Sequence, residues 1–290
     1  MVDPRRPGHG ADRHRTRLRR RWLDSAEADA TPGRTGLVSA AHLRRFGATI
    51  ATRGRHRDHV VGLRGVDLDV EGGQVTALVG ESGCGKSLVA LALCGLLPPG
   101  SSATGELVIG DDTIASDDER RWRALRGRTV GLVPQSPATS FTPVRTLGSQ
   151  LTEVVRILDS DRDAAELAAL VGLPKDALRL YPHELSGGMA QRAAIAAAIA
   201  GRPALVIADE PTSALDPELA DLVWKLLRAI ADDGCAVLVV THELKSLLRA
   251  QICDSVAVMR AGEVVLQDAP ARVLSSADRY IGRLFAGAQA

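Results

Sequence analysis

Val75-Thr76-Ala77-Leu78-Val79-Gly80-Glu81-Ser82-Gly83-Cys84-Gly85-Lys86-Ser87-Leu88-Val89-Ala90-Leu91-Ala92-Leu93-Cys94 passes from one apolar run, through a glycine-rich turn, into another. The first run has the length and composition of a buried strand, the second those of an apolar helix. Gly80 to Ser87 fits G-x-x-x-x-G-K-[ST] at every fixed position. Glycines let the backbone curl so that several N–H groups point at phosphate oxygens, and the helix that follows adds the positive end of its dipole. Lys86 then supplies a compact charge for the β- and γ-phosphates of a nucleotide, and the Ser87 hydroxyl is placed to ligate Mg²⁺. The chain has only four lysines, Lys86, Lys175, Lys225 and Lys245, and otherwise uses arginine. A planar guanidinium is a poor substitute for a small ammonium in a tight loop.

Working outward, Leu205-Val206-Ile207-Ala208-Asp209-Glu210-Pro211 is a short apolar run ending in two carboxylates, which suits a central parallel strand whose end emerges at the nucleotide. Asp209 is expected to hold Mg²⁺, directly or through water. Glu210, one residue on and pointing elsewhere on the pleat, is the candidate for polarising the attacking water. Pro211 disfavours helix at the residue before it, so Glu210 is expected on an extended segment. An exposed acidic turn after a core strand is the plainer reading, and the matched glycine loop is what displaces it. Between these two motifs lies Leu185-Ser186-Gly187-Gly188-Met189-Ala190-Gln191-Arg192. Ser186, Gly187 and Gly188 stand just before the alanine-rich stretch 189–200, a predicted helix. A serine hydroxyl and glycine N–H groups at a helix start make a second anion site.

In this order the motifs resemble the ABC transporter ATPases, and the resemblance covers roughly residues 38 to 275. It implies an ATPase whose serine-glycine-glycine motif closes over the ATP held by a partner subunit, so that two modules sandwich two nucleotides head to tail. It assigns Gln135, in Val133-Pro134-Gln135-Ser136-Pro137, to a loop contacting Mg²⁺ or the lytic water. Ser213-Ala214-Leu215-Asp216 matches the loop that crosses the dimer interface, and His242, in Thr241-His242-Glu243, the switch histidine at the γ-phosphate. On the same basis Lys86, Gln135, Glu210 and His242 are the expected catalytic residues, and Ser87, Gln135 and Asp209 the metal ligands. Gly80, Glu81, Ser82, Gly83, Cys84, Gly85, Lys86, Ser87, Gln135, Asp209, Ser186, Gly187, Gly188 and Asp216 are the expected ATP contacts. One departure stands out. The family stacks adenine on an aromatic residue upstream of the glycine loop, where this chain, 3% aromatic overall, has Val60 beside His59. His59 or a valine contact is expected to take its place.

Ser140-Phe141-Thr142-Pro143-Val144-Arg145-Thr146-Leu147-Gly148-Ser149-Gln150-Leu151, Leu180-Tyr181-Pro182-His183-Glu184 and Leu96-Leu97-Pro98 look like the ATPases of peptide and nickel importers. Asp278-Arg279-Tyr280-Ile281 sits where His-Pro-Tyr-Thr is common in that group. The resemblance implies integral-membrane permease subunits, a second ATPase subunit and, indirectly, an extracytoplasmic solute-binding protein as partners, at the cytoplasmic face of the membrane. The alternative is an ABC-type module of a non-transport complex, carbon–phosphorus lyase-like or serving nucleic-acid maintenance. No basic, aromatic-interleaved stripe outside the first residues supports nucleic acid.

Composition fits this reading. The chain has 290 residues, 45% of them hydrophobic, and a net charge of +1, enough for a substantial core and no general pull towards polyanions. No apolar run approaches the ~20 residues that span a bilayer. Cys84, Cys94, Cys235 and Cys253 form no C-x-x-C pair, so neither zinc nor a disulfide framework is expected. Residues 1–36, rich in arginine, are expected to form a disordered tail, followed by an ATP-binding domain over 37–275 and a short tail over 276–290. Val66 to Val70 alternates as an edge strand, with further strands near 106–109, 129–133, 204–208, 236–240, 255–259 and 263–267. Helices are predicted over 147–158, 163–171 and 217–231, the first two within an inserted helical subdomain at about 136–195. The expected fold is α/β: a P-loop core of parallel sheet with flanking helices, an antiparallel β subdomain and the helical insertion.

Overall fold

The structure is a computed structural model that describes residues 39–51, 59–213 and 215–286. The arginine-rich segment 1–36 lies outside the described residues. Strand β3 (Val75–Gly80) is buried at every position. It runs parallel to β8 (Ala236–Val240) on one side and to β9 (Ser255–Arg260) on the other. Beyond β8 lie β7 (Leu205–Asp209) and β6 (Val130–Val133), also parallel, and β10 (Glu263–Asp268) closes the far side antiparallel to β9. The six-stranded order is β10-β9-β3-β8-β7-β6. A parallel sheet is covered on both faces, so its strands read as continuous apolar runs.

Alternate residues serve the two faces. Leu78, Ile207, Leu238, Val240 and Ala257 join one core with Val89 and Leu93 of α1 (Lys86–Leu93) and with Leu43, Phe46 and Leu107 of a second sheet. Val237 and Val239, equally buried, face away from it, and α7 (Pro217–Asp232) packs on β3 and β8. The second sheet is antiparallel, in the order β2-β1-β4-β5, with β1 (Ser39–Ala51), β2 (His59–Glu71), β4 (Ser102–Ile109) and β5 (Asp112–Thr113). Strand β4 starts four residues before its predicted position because Ser102 still has a partner in Thr49 of β1; pairing, not local pattern, sets its length. Arg228 of α7 secures the base of the parallel sheet. Its guanidinium donates to Gly73 O, Ile252 O and Asp254, and the Asp254 carboxylate accepts the Val75 N–H at 2.8 Å.

After α2 (Glu119–Leu125) and β6, the chain is helical: α3 (Pro137–Ser140), α4 (Leu147–Leu158), α5 (Ala164–Leu170), single turns at Lys175–Arg179 and Pro182–Glu184, and α6 (Gly187–Ala198). Thr146 and Asp163 cap α4 and α5, the latter in a capping box with Glu166, so the cap itself lies outside the helix predicted to include it. Helix α6 begins at Gly187, two residues earlier than predicted, because Ser186 is its cap and both glycines belong to its first turn. The chain continues through α8 (Leu244–Ala250), β9, β10 and α9 (Pro270–Leu274).

Residues 276–290, expected to be a tail, instead contain α10 (Arg279–Ala286). The Asp278 carboxylate accepts the N–H groups of Tyr280 at 2.6 Å and Ile281 at 3.2 Å, and Ile281 and Phe285, one turn apart, are both buried. A capping aspartate before an i, i+4 apolar pair is the signal that was available.

Leu238 is fully buried in β8, and Leu238→Ala is expected to cost about 2–5 kcal/mol in urea unfolding. Val265→Ala, at an exposed β10 position, should stay within about 0.5 kcal/mol; equal midpoints for the two variants would contradict this placement of the core.

Candidate functional site

The parallel register brings three strand ends to one level. Leu78 pairs with Val240, and Val240 with Asp209; the glycine loop, the Thr241–Glu243 turn and Glu210 therefore leave the sheet side by side. Gly85 caps α1 with φ of 111°, and a Cβ there would lie 2.8 Å from Met259 Cε and 3.0 Å from Leu63 Cδ2. Only glycine fits both the conformation and the space. The amides of Lys86, Ser87 and Leu88 have no backbone acceptor among the described residues, which leaves the donors of the first helical turn available to an anion. Lys86 is buried, its ammonium donating to Gly80 O and Glu81 O at 2.9 Å each. Cys84 is buried beside it, and burial raises its thiol pKa against the pull of Lys86.

Ser87 Oγ donates to Asp209 Oδ1 at 3.4 Å. Burial holds the Asp209 carboxyl above the usual carboxylate range, with the nearby Glu210 charge acting in the same direction and the Ser87 hydrogen bond and Lys86 acting against it. A hydroxyl and a carboxylate this close are hard oxygen donors that suit Mg²⁺, which takes one or two protein carboxylates and completes its shell with phosphates and water. The described residues contain no cluster of three or more acidic, His or Cys side chains that would make a closed metal cage.

Glu210 departs from expectation. It does not continue β7 as an extended residue; its φ is 50°, in the left-handed region that side chains rarely adopt. Pro211 disfavours the right-handed helical conformation at Glu210, and the surroundings decide among the others. The Glu210 N–H donates to Val240 O at 2.8 Å while the side chain turns into the site. There His242 Nδ1 donates to Glu210 Oε1 at 2.7 Å and Thr241 Oγ1 to Oε2 at 3.4 Å. The glutamate is 8% exposed and the His242 side chain 64%, so the carboxylate is held from within and the imidazole reaches outward. Asp209 and Glu210 thus have different partners, as their adjacent positions on the chain predict. Two further residues tie this corner together and were not singled out from the sequence. Thr212, buried, donates through Oγ1 to Glu243 Oε2 at 2.6 Å, and the Glu243 N–H donates to Thr241 Oγ1 at 3.0 Å. A threonine after Glu210-Pro211 carries no pattern that marks it; its partner is thirty-one residues away.

The ABC transporter family model covers residues 63–213. The chain belongs to the ABC transporter family. It is 41% identical over 216 residues to a probable peptide ABC transporter ATP-binding protein of Sinorhizobium fredii, spanning 71% of this chain and 64% of that one. It is 40% identical over 218 residues to the oligopeptide transport ATP-binding protein OppD of Mycobacterium tuberculosis, spanning 72% of this chain and 35% of OppD. The chain thus spans from about a third to just under two thirds of these relatives. Among solved structures it resembles the dimeric ATP-binding cassette MJ0796 bound to ADP and Pi, with a TM-score of 0.68 and 26% identity over 79% of this chain and 98% of the other.

The remaining predicted residues of this ABC cassette lie apart from that corner. Ser186 is exposed, and its Oγ accepts the Met189 N–H at 3.3 Å; Asp216 is exposed, and its carboxylate accepts the Leu219 N–H at 2.9 Å. Both act within the chain as helix caps. Gly188 lies against Leu219, where a Cβ would approach Leu219 Cδ1 to 2.8 Å. Gln135 is exposed on the loop leaving β6, and its side chain has no hydrogen bond with another described residue. Val60 is 52% exposed on β2, two residues from Gly62, which packs on Leu88 of α1. No helix among the described residues is long and apolar enough to cross a membrane.

Thr212→Val, which keeps the shape and removes the hydroxyl, is expected to lower stability by about 1–2 kcal/mol because the Glu243 carboxylate loses its donor. Urea unfolding with an unchanged midpoint would show that this hydrogen bond has no net worth.

Proposed function

We propose that this chain binds ATP and hydrolyses it as the energy-supplying subunit of a peptide importer. The observation that carries the reading is the convergence of Lys86 and Ser87, Asp209, and the His242–Glu210 pair at the ends of neighbouring parallel strands. That set matches what phosphoryl transfer to water requires: donors for the phosphates, hard oxygens for a cation, and an oriented carboxylate for the nucleophile. The family membership and the peptide-transport names of the relatives support the substrate class.

In this reading the loop amides and Lys86 grip the β- and γ-phosphates of ATP. Ser87 and Asp209, with Gln135 from its loop, would hold Mg²⁺, which neutralises charge developing on the phosphate oxygens when bound. Glu210 orients the attacking water and accepts its proton as the new oxygen–phosphorus bond forms and the γ-phosphate leaves ADP. His242 and Thr241 keep the Glu210 carboxylate aimed. The left-handed backbone at Glu210 is the conformational cost of that aim, of order 1 kcal/mol or more. Its burial keeps the carboxylate out of competing contacts with bulk water.

Ser186, Gly187 and Gly188 are exposed or in the first turn of α6, with the helix dipole behind them. They serve the ATP of a second ATPase subunit, with Asp216 near the same interface, so hydrolysis requires a head-to-tail pair. Membrane permease subunits are the mechanical partners. Their docking place is the largely apolar groove of about 360 Å³ between the core and the helical insertion, lined by Leu96, Val154, Ile157 and Leu158 among others.

Glu210→Gln should leave ATP binding within a fewfold of the parent and slow hydrolysis by about 10²–10⁴-fold; turnover within tenfold of normal would move the water-orienting role elsewhere. Ser186→Arg should block hydrolysis while the diluted, monomeric chain binds ATP as before. If the monomer loses its affinity too, the serine acts in its own site and the shared-site reading fails.

A further inference from the structure

The site described so far ends at residue 243, yet one side chain from the far end of the chain reaches the glycine loop. Tyr280 lies in the first turn of α10, where Asp278 caps its N–H and the buried Ile281 and Phe285 fix the helix face. Its hydroxyl donates to the O atom of Met259, the penultimate residue of strand β9, at 3.0 Å and accepts the N–H of Glu81, the second residue of the loop, at 3.4 Å. The Arg260 guanidinium sits over its ring, 5.0 Å from the centroid, a contact that restrains the ring's position.

The same corner is fixed twice more. Gly80 approaches β9 so closely that a Cβ would lie 2.3 Å from Met259 O, and the Gly262 N–H donates to Cys84 O at 2.9 Å. The Met259–Gly262 turn is therefore the back wall of the loop, and the Tyr280 hydroxyl is the one group that bonds to wall and loop together among the described residues. Its loop contact falls on Glu81, whose carbonyl, with that of Gly80, holds the Lys86 ammonium. Rotation of the Glu81 backbone would shift those carbonyls and move the cation.

We propose that Tyr280 is a positioning residue for nucleotide binding, locking the start of the glycine loop to β9 so that Lys86 and the loop amides keep the geometry that receives phosphates. It touches no substrate. The proposal rests on the reading that this loop binds ATP, and it adds a determinant outside the motifs that carry that reading. It also makes the C-terminal helix a part of the nucleotide site, not an appendage to it.

The test is Tyr280→Phe in the full chain, which keeps the ring, its packing and the Arg260 contact and removes one hydroxyl. Fluorescent ATP titration should show affinity weakened about three- to tenfold, the worth of one net hydrogen bond. Amide exchange should accelerate in the peptide containing Glu81 and stay unchanged in β7 and β8. Equal affinity and equal exchange, with the unaltered chain binding ATP, overturn this proposal and leave the nucleotide reading standing. Failure of the unaltered chain to bind ATP overturns both. Weaker binding with accelerated exchange throughout the core marks general loosening and overturns the positioning role.

Discussion

Val75 pairs with Val237, and Val237 with Val206, in three adjacent strands that are buried throughout or nearly so. Because the strands are parallel and in register, their C-terminal ends stop together, and every reactive side chain of the site hangs from that common edge. The register is set by burial on both faces: slipping one strand by a residue would turn its core-facing positions to the other face. Arg228 and Asp254 pin the opposite end, where the Val75 amide would otherwise be an unpaired donor at the base of the sheet. The geometry of the phosphate loop is thus a consequence of packing some distance below it.

At the common edge the chain accepts conformations and burials that a stability argument alone would not select. Glu210 takes a positive φ, Lys86 is buried, and Asp209 is desolvated beside a second carboxylate. Each is offset locally: Glu210 by His242 and Thr241, Lys86 by two carbonyls, Asp209 by Ser87. Buried polar groups are tolerable when every one is paired. The result is a set of paired donors and acceptors along one edge of the sheet, the kind of arrangement that the proposed phosphoryl transfer would use.

The exposed motif at the start of α6 shows a different economy. Ser186 and Asp216 both cap helices in the ordinary way, so their residue types are explained without any ligand. Capping and anion binding use the same chemistry, a helix first turn with unsatisfied N–H groups. In the proposed function such a residue serves its own helix and presents that helix to a second subunit. What distinguishes the two uses is exposure, and both residues are exposed.

Much of the candidate site was legible in the linear chain because its motifs are local: the glycine loop is bounded by its own strand and helix, and Asp209-Glu210 ends an apolar run of strand length. Long-range pairing escaped. Thr212 finds Glu243, and Tyr280 finds Glu81 and Met259, across gaps that no periodicity spans. The early start of β4 and the conformation of Glu210 were likewise decided by partners elsewhere in the fold. Residue types, spacing and apolar rhythm by themselves determined an α/β module with a helical insertion and the order of its motifs along the chain. Which carboxylate is held by which donor, and how the last helix comes to brace the first motif, was decided only by tertiary structure, because a hydrogen bond depends on separation in space and the sequence records only separation along the chain.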